Sequence, residues 1–140
     1  FLATSGAQVL LAQEARHLST HPYLVKHWHE PFKAVDEVTQ VLIQRGSFET
    51  AENISSLVFG KMKSLLEERH AHQTDAFKMA WRTTIRRIAA VKCGLHKDLG
   101  GASVCLTSIH CAKSSGTTDL LESLVTVLRD CAGSGCSYVL

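Results

Sequence analysis

The side chains of this chain best suited to chemistry are its five cysteines, its eight histidines and a row of basic residues. All five cysteines (Cys93, Cys105, Cys111, Cys131 and Cys136) lie after residue 92, a clustering that suggests cross-linking of the C-terminal third. Two bridges among five thiols allow fifteen arrangements, and spacing alone does not choose between them. Cys105 with Cys131 and Cys93 with Cys136 are the candidate pairs, which leaves Cys111 over. Buried reduced thiols are the plainer alternative, because cysteine packs as a small apolar residue. Cys131-x₄-Cys136 is one loose half of a zinc site with no second tight pair, so no metal is assigned.

Two His-x-His pairs stand out, His27 with His29 and His70 with His72. On a strand such a pair shares a face and can chelate a metal, whereas on a helix its members point about 200° apart. Both pairs fall near expected helix ends, where histidine supports the last carbonyls. No G-x-S-x-G, phosphate loop, H-E-x-x-H or dinucleotide fingerprint is present, so neither catalysis nor a cofactor is expected. Asn53-Ile54-Ser55 matches a glycosylation acceptor in form only.

The basic row is Lys78, Arg82 and Arg86, at spacings of four and four. It runs beside an apolar row of Phe77, Trp81, Ile85 and Ile88. The two rows predict a core-facing helix from Thr74 to Gly94 with a basic outer face. Thr74 or Asp75 would cap its start, and Gly94 stands where a left-handed C-terminal cap would. Residues 76–98 carry six basic residues against one acid, while residues 47–75 carry five acids against three basic residues. Neighbouring helices of opposite sign could pair, or the basic one could face an acidic partner. The net formal charge of +2, with no aromatic residues in the basic row, argues against nucleic acid.

The elements that would position these groups read as helices. Residues 5–18, 31–46, 50–70 (opening at Ser47 or Thr50) and 119–131 join 74–94 in carrying apolar faces at helical spacing, and residues 102–113 read as a short further helix that contains Cys105 and Cys111. His21-Pro22 breaks the first of these, Pro31 starts the second and Gly46 ends it. Gly60 inside the third suggests that something packs closely there, and the type of residues 23–30 is left open. No alternating strand pattern or hairpin turn signal is evident. The expected fold is therefore all-α: one domain over residues 1–140, a bundle of about five amphipathic helices. Residues 1–30 form a less defined segment, and residues 93–140 hold a C-terminal helical hairpin that disulfides could link.

The composition, 45% apolar and 20% charged, is that of a globular chain. The longest uncharged stretch in its body, Leu99–Ala112, is too short and too polar to span a bilayer. The expected function is a non-catalytic helical subunit of a larger protein assembly, docking other protein subunits through Lys78, Arg82 and Arg86. The N-terminal residues, ending in ARHLST, suggest a mitochondrial location. The alternative is a secreted, disulfide-stabilised helical binder, such as a cytokine-like ligand.

Overall fold

The computed structural model describes residues 8–12, 26–99, 102–111, 117–132 and 136–139. It is a mixed α/β structure, not an all-α bundle. The described elements, in order, are β1 (Val9–Ala12), β2 (Phe32–Lys33), β3 (Gln40–Ile43), β4 (Thr50–Asn53), α1 (Ser55–Arg69), α2 (Asp75–Ile85), β5 (Ile88–Gly94), a 3₁₀ turn (Lys97–Leu99), β6 (Ser103–Ile109), α3 (Thr117–Ala132) and β7 (Cys136–Val139).

The strands form two sheets. A small antiparallel sheet has the order β1-β3-β2, and a larger one has the order β4-β5-β6-β7. In the larger sheet β4, β5 and β6 run antiparallel, while β7 returns parallel to β6 after α3. This sheet is covered on both sides. Ile88, Ala90 and Cys105 point into a core made with Val58, Met62 and Leu66 of α1, Trp81 and Ile85 of α2, and Leu120, Leu124 and Leu128 of α3. Ala89, Val91, Cys93 and Leu106 point the other way, against Val41 and Ile43 of β3. The layers are therefore helices, large sheet, small sheet.

Double coverage explains why the expected helix over 74–94 stops early. Its first half is right: Asp75–Ile85 is helical, and the Thr74 hydroxyl accepts the Phe77 N–H at 3.2 Å. Its second half is β5, whose first four residues are all buried. A strand buried on both faces loses the alternation that marks strands and reads as a continuous apolar run. The same applies to residues 102–113, where β6 replaces the fifth helix.

In residues 31–46, Phe32, Val35, Val38 and Leu42 sit at helical spacing by coincidence. The chain there makes a β2-turn-β3 hairpin with Phe32 opposite Val41. Gly46 does adopt positive φ (85°), but in the turn after β3 rather than at a helix end. Gly94 has no left-handed role. It ends β5 opposite Thr50, where a Cβ would meet the Thr50 Oγ1 at 2.5 Å. Residues 50–70 divide into β4 and α1. At that junction the Ile54 N–H donates to the Ala90 carbonyl at 2.9 Å, and the Ser55 hydroxyl accepts the Ala90 N–H at 3.0 Å. Residues 9–12 of the first expected helix are strand β1, and residues 13–18 lie outside the described residues. The final helix holds, as α3.

Candidate functional site

Helix α2 and the turn before β3 meet at one point. Beyond Ile85 the helix unwinds through Arg86 and Arg87, with the Arg87 N–H donating to the Thr84 carbonyl at 2.9 Å. The Arg86 carbonyl accepts the N–H of Asp36 at 3.0 Å, so the β2–β3 turn is fastened to the helix end. Asp36 builds that turn itself. Its Oδ1 accepts the N–H groups of Val38 and Thr39 at 3.0 and 3.1 Å, and its Oδ2 accepts the Thr39 hydroxyl at 3.4 Å. A short carboxylate that caps its own downstream amides is the standard Asx-turn device. Glu37 takes a positive φ of 63° to complete the reversal. The end of β6 arrives alongside, because Ile109 pairs with Ile88 and so places His110 next to residues 86 and 87.

These elements enclose a half-open cleft of about 640 Å³, lined by Asp36, Val38, Thr39, Thr83, Arg86, Arg87 and His110. Only Val38 among the seven is apolar, so the cleft suits a polar ligand. Two arginines and one carboxylate are among these residues, and that carboxylate already accepts three hydrogen bonds within its turn. No carboxylate oxygen of the described residues lies within 4.0 Å of either the Arg86 or the Arg87 guanidinium. The chemistry on offer is recognition of an anion by two planar, permanently charged, multi-donor groups.

The basic row expected on α2 is thus divided. Lys78 donates its Nζ to the Ala71 carbonyl at 3.0 Å. Arg82 gives Nε and Nη2 to one oxygen of Glu67, at 3.3 and 3.0 Å, with its guanidinium carbon 5.4 Å from the Trp81 ring centre. Both hold α2 to its neighbours. Arg86 alone of the three reaches the cleft. Arg87, His110, Asp36 and Thr39 were not singled out from the sequence as site residues; the available signal was an Arg-Arg doublet immediately before a buried run.

Cys93, Cys105 and Cys136 sit on strands, Cys131 on a helix and Cys111 just past β6, rather than on a helical hairpin. Cys93, Cys105, Cys111 and Cys131 are thiols in the structure, not half-cystines. Cys93 faces the small sheet and Cys105 the helices, from neighbouring strands. Cys93 on β5 and Cys136 on β7 are separated by β6, a spacing of about 9–10 Å against the roughly 4.4–6.8 Å that a bridge spans. Cys105 and Cys131 both adjoin the helix-side core without bridging. Burial pushes the thiol pKa values of Cys111 and Cys131 up.

The two histidine pairs are placed differently. His70 caps α1, and its Nε2 lies 2.9 Å from Oδ2 of Asp119 in the first turn of α3, while His72 is exposed. His27 and His29 flank the buried Trp28. Among the described residues no group of three or more His, Cys, Asp or Glu side chains is placed to hold a metal. Asn53 uses its Nδ2 on the Lys33 carbonyl and its Oδ1 on the Ser55 N–H, so the acceptor-like triplet is occupied in forming the turn into α1. No helix of the described residues is long and apolar enough to cross a membrane. Comparison with protein-family models, with curated proteins and with solved structures finds no match to this chain.

Proposed function

We propose that the protein is a non-catalytic interaction subunit of a larger protein assembly, and that it receives an acidic segment of a partner at the end of α2. One observation carries the reading. Arg86 and Arg87 line a concave cleft with no acidic partner within 4.0 Å among the described residues, whereas Lys78 and Arg82 are committed within the fold. Of the contact set expected from the sequence, the reading centres on Arg86 and adds Arg87. A protein partner is favoured over nucleic acid because two arginines in a cleft offer a point contact rather than a basic track along a backbone. The non-catalytic reading is supported by the engagement of Asp36 in its turn and of the Thr83 hydroxyl with the Met79 carbonyl at 2.9 Å. Neither is poised as a base or nucleophile.

The secreted, disulfide-stabilised alternative has less to support it, since Cys93 and Cys136 stand two strands apart and Cys105 and Cys131 are thiols in the structure. A mitochondrial location belongs to the proposal through the N-terminal residues alone.

The test is affinity purification of the tagged full chain against an R86E/R87E variant, with K78E/R82E as the control. The partner set should be lost with the first variant and kept with the second, both being folded by circular dichroism. Retention of every partner by R86E/R87E would remove the cleft from the reading.

A further inference from the structure

We propose that the group received between Arg86 and Arg87 is a phosphate monoester, carried on a phosphoserine or phosphothreonine of the partner. This rests on the docking reading above and names the chemistry of its ligand. Three observations favour phosphate over carboxylate.

The first is donor number. A carboxylate offers two oxygens, and a single guanidinium fork is enough to satisfy both. Two adjacent guanidiniums, Arg86 exposed and Arg87 half-buried, supply up to ten N–H groups. Three phosphate oxygens use such a surplus, and two carboxylate oxygens do not.

The second is charge. Among the described residues the lining holds two fixed cations and the single carboxylate of Asp36. The remaining positive charge attracts a group of charge −2 about twice as strongly as one of charge −1. Asp36 keeps its oxygens on Val38 and Thr39, so they need not turn toward the incoming group.

The third is shape. A half-open cleft of about 640 Å³ with one apolar wall residue is roomy for a carboxylate side chain. It falls within the roughly 300–1,000 Å³ of pockets that take small ligands. A phosphorylated side chain with its flanking backbone fits that size, and the polar lining gives an apolar ligand nothing to bury against.

The experiment is a titration of the isotope-labelled full chain with N-acetyl-O-phosphoserine methylamide, followed by backbone amide shifts. N-acetylglutamate methylamide is the matched carboxylate, and inorganic phosphate is the bare anion. Shifts should concentrate at Thr39, Arg86, Arg87 and His110, with the phosphoserine probe binding at least about tenfold tighter than the glutamate probe. R87Q should weaken phosphoserine binding about tenfold or more, R86K/R87K should weaken it to a lesser degree, and R82Q should leave it within about twofold. Amide spectra superimposable away from the substitution show that each variant is folded.

Equal affinity for the two side-chain probes, or phosphate-induced shifts that survive R86Q/R87Q, would overturn the proposal. Partner capture that depends on Arg86 and Arg87 yet persists after phosphatase treatment would retain the docking function and defeat the phosphate assignment. The two readings thus fail separately.

Discussion

The backbone N–H of Asp36 donates to the carbonyl of Arg86 at 3.0 Å, joining the turn that precedes β3 to the end of α2. One wall of the cleft belongs to a hairpin of the small sheet and the other to the helical layer. The cleft is therefore built by two layers at once, and loosening either layer should change the site.

Asp36 has two separable effects, structural through its acceptors and electrostatic through its charge. Asp36→Ala removes the acceptor for two amides and a hydroxyl, and should cost about 1–2 kcal/mol in denaturant unfolding. Anion affinity should fall with it. Asp36→Asn keeps an oxygen for the amides and removes the charge, so anion affinity should rise about two- to threefold. Tighter anion binding by Asp36→Ala would mean that the turn does not shape the cleft.

Arg82 and Glu67 form an ion pair whose side chains are 45% and 42% exposed. Such pairs are screened and contribute about 1 kcal/mol or less. Arg82→Gln should lower stability by no more than that, and raising the salt to about 1 M should erase the difference. A loss several times larger would show that Arg82 acts chiefly through its packing on Trp81.

Gly94 should resist substitution because of Thr50. An alanine Cβ at 94 would stand 2.5 Å from the Thr50 Oγ1, so Gly94→Ala should destabilise by roughly 1–3 kcal/mol. In a Thr50→Ala background the same change should be nearly neutral. A double-mutant cycle measures the coupling directly, and additive losses would place the strain elsewhere.

The sequence was most informative where one face of an element is solvated. Asp75–Ile85 carries polar residues opposite Trp81 and Ile85, and its start, cap and apolar row were all readable. Residues 117–132 were readable for the same reason, with Leu120, Leu124 and Leu128 on one side and exposed Glu122 and Arg129 on the other. Strands β5 and β6 were not, because packing on both faces puts apolar residues at every spacing, and Ile85-Ile88 continued a helical row across the helix end. The hairpin of β2 and β3 was hidden because its reversal uses Asp36 and Glu37 instead of a glycine. Of the site, Arg86 was visible through its spacing. Arg87 was signalled only by its doublet with Arg86, and His110 not at all, since strand pairing between β5 and β6 is what brings position 110 back to position 87.

The described thiols should behave as reduced side chains of graded access. Reductant should leave the melting temperature unchanged within about 1 °C, against the loss of roughly 2–5 kcal/mol that follows removal of a native bridge. Native alkylation should label Cys111 and Cys131 first, and slowly near neutral pH because burial raises both pKa values. The unfolded chain ionises these thiols first, so their neutral forms support folding up to the ordinary value of 9.0. That support is lost as the pH climbs through the raised values. Cys93 and Cys105, fully buried on opposite faces of one sheet, should react only when the sheet-side or the helix-side layer opens. A melting temperature that drops sharply on reduction would show that a bridge forms.

Strand β7 joins the large sheet from the far side of α3 and, among the described residues, pairs only with β6. Until residues 136–139 are in place, one flank of β6 is an open row of amides and carbonyls, able to template pairing with another chain. Synthesis delivers β4, β5 and β6 well before β7, so the nascent protein passes through a stage with that flank uncovered. Proper maturation then depends on α3 docking soon enough to carry β7 home, and chains cut short after residue 132 would meet one another edge to edge.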